Sequence, residues 1–289
     1  MKMIKPIVNV GKIIDNFEAV VVGFRGVISE GDSIRQDAVN ALINARKAGK
    51  KIVLCSNSPL RSSELADFFI SYKVPLKLFE AIITAGEILH YELKVKQGAF
   101  ANLGNNYFQI GDNQHYGIFD NLDYNRVHSL DEASFVFMGN VESLDDTIEK
   151  YIPILQHAVA LGLPFVTAGN DTSSFMNEKI CLGTGAVAEQ YAVLGGKILT
   201  VGKPEPIVSA YCLEALPQDI AKEKILFIGD NAATDIKAAN LIGAASVLIS
   251  KGVHINYLGE GYISDVAKTR DLAISLDAYP DCVISNLRW

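Results

Sequence analysis

The sequence predicts an α/β protein built on a parallel sheet. Short apolar strands alternate with helical segments near both ends of the 289-residue chain, which is the pattern of βαβ units. The middle of the chain interrupts this alternation, because residues from about 100 to 130 are rich in Asn, Gly, Asp and Tyr. We therefore predict one core domain made from 1–84 and 181–289, with a second α/β domain inserted at 85–180.

The N-terminal half of the core is predicted from its apolar runs. Ala19–Val22 is a buried strand that leads into a glycine turn, and apolar residues at helical spacing predict a helix over 35–48. A second strand at 51–55 precedes a helix over 62–72, whose start a serine or asparagine can cap. Ala81–Thr84 is a short third strand.

The inserted segment and the C-terminal half follow the same reasoning. In the insertion we expect strands at 134–139 and 164–167 and a helix over 143–161. After about residue 183 we expect strands and helices to alternate again. The predicted strands are 198–201, 224–228 and 245–249, and the predicted helices are 185–194, 206–215 and 235–242.

Composition excludes several classes of function. The chain has 26 basic and 33 acidic residues, a formal net charge of −7 and no strongly basic run, which argues against nucleic-acid binding and anionic membranes. No apolar stretch approaches the ~20 residues that span a bilayer, and the N-terminus lacks the apolar run of a signal peptide. We expect a cytoplasmic protein, and a homo-oligomer stays open.

The cysteines and histidines do not predict a metal site. The four cysteines are far apart and form no CxxC motif, so we expect reduced, mostly buried thiols rather than disulfides. The five histidines show no metal-ligand spacing.

Three polar motifs follow predicted strands, and ligands of open parallel sheets bind at the carboxyl ends of strands. They are Ser56-Asn57-Ser58, Gly202-Lys203-Pro204 and Gly229-Asp230-Asn231-Ala232-Ala233-Thr234-Asp235. The first offers a hydroxyl, an amide and backbone N–H groups to a phosphate oxygen, or simply caps a helix. Lys203 supplies a point charge, or lies in a solvated turn. Asp230 and Asp235 could hold magnesium, which prefers oxygen ligands, or could stabilise a helix N-terminus.

Together and in this order, the motifs resemble those of the haloacid dehalogenase superfamily of phosphatases. The resemblance is greatest to sugar- and nucleotide-phosphatase-like members, whose large cap lies between the second and third motifs. It implies a Rossmann-like parallel-sheet core with an inserted α/β cap. It also implies phosphate binding by Ser56, Asn57 and Lys203, and a magnesium ion at Asp230 and Asp235. The resemblance to the family is only partial at Asn170 and Asp171, near the return from cap to core, where substrate contacts are expected.

The chain departs from this family at the end of its first strand. The family carries there an aspartate that attacks phosphorus and binds the metal, and many members have a general acid–base aspartate two residues later. The matching residues are Gly23 and Arg25. Glycine offers no nucleophile, and arginine is permanently charged. Ser29, Glu30 and Asp32 lie downstream as possible substitutes, on a predicted loop.

We therefore expect a degenerate phosphatase fold that is inactive toward phosphate esters and binds a small phosphorylated or anionic metabolite. Magnesium binding should be weak. The alternative is an active magnesium-dependent phosphomonoester hydrolase acting on a sugar phosphate or nucleotide. Arg25 is expected to pair with Asp230 or Asp235, or to meet a phosphate directly, because a guanidinium suits both partners.

One further run allows two interpretations. The glycine-rich run 183–188 is interpreted as a site of close helix–strand packing. It also fits the dinucleotide fingerprint G-x-G-x-x-A. However, the next strand ends in Gly202-Lys203, where an acidic residue should bind the ribose.

Overall fold

The computed structural model, which describes residues 3–177 and 179–289, contains a large parallel sheet that we name the core sheet. Its seven strands lie in the spatial order Lys5–Pro6, Cys282–Ile284, Ala245–Ile249, Ile225–Gly229, Ala19–Val22, Lys51–Ser56 and Ala81–Thr84. All neighbouring strands in it are parallel. The predicted α/β core with a parallel sheet is therefore confirmed.

Both faces of the core sheet are covered. Along strand Ala19–Val22, Ala19 and Val21 pack into one apolar cluster, whereas Val20 and Val22 pack into another. Successive side chains of a strand point to opposite faces, so burial on both faces explains why this strand is a continuous apolar run.

A second parallel sheet, the cap sheet, is built from the middle of the chain. Its strands lie in the order Ile198–Thr200, Phe165–Thr167, Phe135–Met138, Asn106–Ile110 and Asn125–Val127. The expectation that strand 198–201 belongs to the core was wrong. Ile198–Thr200 pairs with Phe165–Thr167, and the Phe165 N–H donates to the Lys197 carbonyl over 2.8 Å.

Two antiparallel hairpins face each other between the sheets. The core hairpin pairs Ser29–Glu30 with Ser33–Ile34, and the cap hairpin pairs Ser173–Met176 with Lys179–Leu182. Gly31, with φ of 57°, lies at the tip of the core hairpin. A Cβ atom at Gly31 would collide with Asn177 Oδ1, so the two tips are in close contact.

Helices and helical turns cover the sheets. The α-helices are Gln36–Lys47, Ser62–Ser71, Ala85–Val95, Ile148–Ala160, Thr184–Val193, Pro206–Glu214, Lys237–Ile242, Ile255–Leu258 and Val266–Leu276. A π-helical turn covers Ala232–Ile236, and short 3₁₀ turns cover Val10–Lys12, Ile14–Asn16, Leu76–Leu78, Gly98–Phe100, Leu130–Glu132 and Lys222–Lys224.

The helix predicted over 143–161 begins only at Ile148. The preceding residues form a turn, because Asp146 Oδ2 accepts the N–H groups of Glu142 and Ser143, each over 3.0 Å. All four cysteines are buried, as expected, and none of them forms a disulfide in this structure. In the part of the chain that the structure describes, no helix has the length and apolar character required to cross a membrane.

Candidate functional site

A cleft of about 80 Å³ opens at the carboxyl ends of the central core strands, between the core and the cap hairpin. Of the predicted site residues, only Asn170 lies outside its lining. The core contributes Gly23, Arg25, Ser56, Asn57, Lys203, Asp230 and Asp235, and the segment returning from the cap contributes Asp171. Residues from three distant sequence motifs thus meet at one place.

Lys203 is buried and already paired. Its Nζ donates to Asp235 Oδ1 over 2.6 Å and to the Cys55 carbonyl over 2.9 Å. Burial opposes the ammonium charge, but the facing carboxylate of Asp235 raises the pKa of Lys203 above its ordinary value. The Lys203 charge is therefore compensated by the protein itself.

The turn that carries Lys203 is held by Asn57. The Lys203 N–H donates to Asn57 Oδ1 over 2.6 Å, and Asn57 Nδ2 donates back to the Lys203 carbonyl over 3.2 Å. Both ends of the Asn57 amide are thus engaged with backbone. Ser56 Oγ accepts the Ser58 N–H over 3.1 Å, which leaves its own proton for another acceptor.

Asp235 lies within the π-helical turn, and both of its oxygens have partners. Oδ1 accepts from Lys203, and Oδ2 accepts the Asn231 N–H over 3.1 Å. Gly229 allows this arrangement, because a Cβ atom there would collide with the Asp235 side chain. Asp235 therefore positions Lys203 and closes the turn.

Asp230 is enclosed by backbone. Its Oδ2 accepts the Val253 N–H over 2.9 Å. A Cβ atom at Gly26 or Gly252 would collide with the Asp230 carboxyl group, so both glycines permit the close contact. Burial, followed by the nearby charge of Asp235, raises the pKa of Asp230 to about 8.

Asp171 joins the cap return to the core. Its Oδ1 accepts from Asn231 Nδ2 over 2.9 Å and from Thr234 Oγ1 over 2.8 Å. Burial raises the pKa of Asp171. Asn231 and Thr234 lie in the third motif, but nothing in the sequence marks them as partners of Asp171, which is 60 and 63 positions away.

Asn170 supports the site from outside the cleft. Its Nδ2 donates to the Gly202 carbonyl over 3.1 Å, and its Oδ1 accepts from Thr200 Oγ1 over 2.7 Å. A Cβ atom at Gly185 would collide with the Asn170 carbonyl, and one at Gly183 with the carbonyl of Asp171. These contacts match the interpretation of the glycine run as a place of close packing.

Gly23 follows strand Ala19–Val22 at the cleft, and its N–H donates to the Ile228 carbonyl over 2.8 Å. A Cβ atom at this position would lie 3.6 Å from Asp235 Oδ1 and 3.3 Å from Val27 Cγ2. The site thus has nearly enough room for a Cβ atom at Gly23, close to Asp235 of the Lys203–Asp235 pair.

Arg25 extends toward the cap. Its Nη1 donates to Met176 Sδ over 3.2 Å. The expected pairing with Asp230 or Asp235 was wrong, since neither described carboxylate forms an ion pair with Arg25. The chain turns at Gly26, with φ of 72°, and Asp230 lies against that turn, whereas Arg25 contacts Met176 of the cap hairpin. Burial lowers the pKa of Arg25.

The described residues offer few ligands to a magnesium ion. Within 3–177 and 179–289, no group of three or more Asp, Glu, His or Cys side chains is placed to hold a metal ion. Asp235 has both oxygens engaged, which leaves Asp230 as a single carboxylate at the predicted metal position. Magnesium is usually bound by one or two carboxylates together with waters and substrate phosphates, so Asp230 alone supplies the minimum of anionic protein ligands.

Comparisons with known proteins identify the fold. Residues 200–279 match the family described as "HAD-hyrolase-like". The chain is 22% identical to the 5'-nucleotidase YutF of Bacillus subtilis over 240 residues, which cover 82% of this chain and 88% of that protein. A haloacid dehalogenase-like hydrolase from Brucella suis superposes with a TM-score of 0.81 at 27% identity, covering 96% of this chain and 98% of that structure. A possible sugar phosphatase of the HAD superfamily from Cytophaga hutchinsonii gives 0.73 at 16% identity, covering 99% and 98%.

Proposed function

We propose that this chain, which has the haloacid dehalogenase-like phosphatase fold, binds a small phosphorylated or anionic metabolite without hydrolysing it. The observation that carries the proposal is Gly23. It follows strand Ala19–Val22 at the cleft, beside the Lys203–Asp235 pair, at the position where the family resemblance implies a nucleophilic aspartate. If the lack of a nucleophile at Gly23 lowers the rate of hydrolysis a million-fold, the loss of transition-state stabilisation is roughly 8 kcal/mol.

The charge distribution supports Arg25 as the anion-binding group. Lys203, the cation expected to meet phosphate, already donates to Asp235 and Cys55. Arg25 lines the cleft, is partly buried, and has a neutral thioether as its hydrogen-bond partner among the described residues. A desolvated guanidinium of this kind gains most from an anion that can accept two of its N–H groups.

Ser56 provides a second donor at the end of strand Lys51–Ser56, which pairs with strand Ala19–Val22. Its hydroxyl is buried at 5% exposure and lines the cleft, and its oxygen already accepts from Ser58. The proton is therefore available for a ligand oxygen. We propose that Arg25 and Ser56 hold the anion between them.

Isothermal titration with inorganic phosphate tests this proposal. We expect the unaltered protein to bind phosphate, and Arg25→Gln to weaken the binding by roughly ten-fold or more, because a hydrogen bond to a charged group contributes about 1.5–3 kcal/mol. Arg46→Gln is the matched control, since Arg46 pairs with Glu80 on the surface. Equal phosphate affinity of the Arg25→Gln and unaltered proteins would contradict the proposal.

The alternative is a magnesium-dependent phosphomonoesterase acting on a nucleotide or sugar phosphate. Similarity to a 5'-nucleotidase and to a possible sugar phosphatase favours it. It requires a substitute nucleophile. The downstream candidates Ser29, Glu30 and Asp32 do not line the cleft, and Glu30 is paired with Arg35 over 2.9 Å.

A further inference from the structure

We propose that Cys55 and Cys212 form a redox-sensitive pair, in which hydrogen peroxide converts the two thiols into a disulfide bond. The pair lies where the core strand Lys51–Ser56 meets the helix Pro206–Glu214. The cross-link is a property of these two residues and of the segments that carry them, so it is independent of anion binding.

The two thiols are neighbours in the folded chain although they are far apart in the sequence. Cys55 and Cys212 are both buried and belong to the same apolar cluster. Helix Pro206–Glu214 packs against strand Lys51–Ser56, and the Cys212 thiol is in hydrogen-bond contact with the Cys55 sulfur. Thiols in such contact meet the first geometric condition for a disulfide bond, which is that their side chains approach each other.

The other two cysteines lie elsewhere. Cys181 is on the cap hairpin, and Cys282 is on a core strand that three other strands separate from Lys51–Ser56. Cys282 also packs in a different apolar cluster from Cys55. Of the four cysteines, Cys55 and Cys212 are therefore the two that are placed to react with each other.

The surroundings of Cys55 favour its thiolate, which is the form that attacks an oxidant. The hydrogen bond from Cys212 lowers the pKa of Cys55 although burial opposes this shift, and the nearby charge of Lys203 acts in the same direction as the hydrogen bond. The same hydrogen bond, together with burial, raises the pKa of Cys212. Cys55 is therefore the residue that is oxidised first, and Cys212 completes the disulfide.

The cleft gives a small oxidant a route to the pair. Ser56, the residue next to Cys55, lines the cleft, which has a volume of about 80 Å³. A cavity needs only roughly 10–15 Å³ to hold a water molecule, so hydrogen peroxide fits. Oxidised glutathione is far larger than this cleft. Because Cys55 is buried, we expect peroxide to oxidise it more slowly than an exposed thiol and glutathione disulfide not to oxidise it.

The reaction needs one molecule of peroxide. The Cys55 thiolate attacks one peroxide oxygen, the O–O bond breaks, and Cys55 becomes a sulfenic acid while the leaving hydroxide takes up a proton to form water. The Cys212 sulfur then attacks the Cys55 sulfur and the S–O bond breaks. The thiol proton of Cys212 leaves with that hydroxide as a second water. Two thiols are thus oxidised to a disulfide as one peroxide is reduced to two waters.

The disulfide would join the two ends of the cap insertion. Cys55 precedes the insertion and Cys212 follows it, so the ring that the bond closes contains every strand of the cap sheet, from Asn106–Ile110 to Ile198–Thr200. A cross-link that closes a long loop lowers the conformational entropy of the unfolded chain. Oxidation should therefore make the protein more resistant to unfolding.

Peroxide treatment of the purified protein, followed by mass spectrometry of its unreduced peptides, tests the proposal. We expect one cross-linked peptide pair that contains Cys55 and Cys212 and that dithiothreitol separates. Cys55→Ser and Cys212→Ser should each form no disulfide. The matched controls Cys181→Ser and Cys282→Ser should still form it, because these cysteines lie outside the pair. The absence of any disulfide after peroxide treatment, or a disulfide that includes Cys181 or Cys282, would overturn the proposal.

Urea unfolding tests whether the bond restrains the cap. We expect the unfolding midpoint of the oxidised protein to be higher than that of the reduced protein by about 1 M urea. Peroxide should not raise the midpoint of Cys212→Ser. If the oxidised and reduced proteins unfold at the same urea concentration, the bond does not restrain the cap. Neither measurement involves phosphate, so their results are separate from those for the proposed function.

Discussion

The two sides of the core wall of the cleft differ in how completely their polar groups are paired. On one side, Lys203, Asp235 and Asp230 form a buried set in which ammonium and carboxylate groups have protein partners. On the other side, strand Ala19–Val22 is followed by Gly23, which has no side chain, and by Arg25, which donates a hydrogen bond to the Met176 thioether. The groups that maintain the geometry are present, whereas the group expected to react is absent.

This difference predicts that changes at positions 23 and 25 alone, directly after strand Ala19–Val22, can introduce hydrolysis of a phosphate ester. Gly23→Asp with Arg25→Asp places a carboxylate beside the Lys203–Asp235 pair, where a Cβ atom needs only a small movement of Val27. We expect magnesium-stimulated release of p-nitrophenol from p-nitrophenyl phosphate, roughly 10³-fold above the unaltered protein, or about 4 kcal/mol.

The isosteric variant Gly23→Asn with Arg25→Asp is the control for this prediction, because an amide cannot act as the nucleophile. Equal rates in the Asp and Asn variants would show that the side chain at position 23 does not determine hydrolysis. The missing side chain at Gly23 would then not explain a lack of hydrolysis in the unaltered protein.

The paired residues Lys203 and Asp235 should contribute mainly to the free energy of unfolding. Lys203→Met leaves Asp235 buried without its cation, and breaking a buried pair costs about 3–5 kcal/mol of unfolding free energy. Lys51→Met, which removes a surface pair with Glu80, should cost less than about 1 kcal/mol. Urea unfolding measures both, and a Lys203→Met cost no larger than that of Lys51→Met would contradict the structural role.

A smaller effect concerns His254, which supports the π-helical turn by accepting the Ala232 N–H over 3.1 Å. Burial lowers the pKa of His254 to about 4. The unfolded His254 has a pKa of about 6.5, so between about pH 6.5 and pH 4 the unfolded state binds more protons than the folded state. The free energy of unfolding therefore falls as the pH falls through this window, by up to about 3 kcal/mol.

His254→Gln tests this pH dependence, because a glutamine oxygen can accept the same N–H group and does not titrate. The unfolding free energy of the variant should fall less between pH 7 and pH 4.5 than that of the unaltered protein. Parallel pH profiles for the two proteins would mean that His254 is not buried in its neutral form.

Local signals in the sequence predict local structure well. Strands Ala19–Val22 and Ala81–Thr84 have the predicted bounds, because apolar runs that end in glycine or threonine carry both the strand signal and its end. The site residues also follow strands, and the parallel sheet brings strand ends together. Clustering of Ser56 and Asp230, which lie at the ends of core-sheet strands, could therefore be anticipated without coordinates. Lys203 follows a cap-sheet strand instead, and its turn reaches the site through hydrogen bonds to Asn57.

Long-range pairing could not be predicted in the same way. Ile198–Thr200 has an ordinary strand pattern, and nothing in that pattern shows that its partner is Phe165–Thr167 in the cap sheet. Arg25 and Met176 are 151 positions apart, so their contact depends on how the hairpins meet. The late start of helix Ile148–Ala160 depends on hydrogen bonds to Asp146, which compete with helix formation.

The most direct test measures phosphate release by the purified, unaltered protein with p-nitrophenyl phosphate and magnesium. Without a side chain at Gly23, we expect no release above the buffer control, while inorganic phosphate still binds. Magnesium-stimulated turnover, with a phosphorylated aspartate or serine trapped on the chain, would contradict the account.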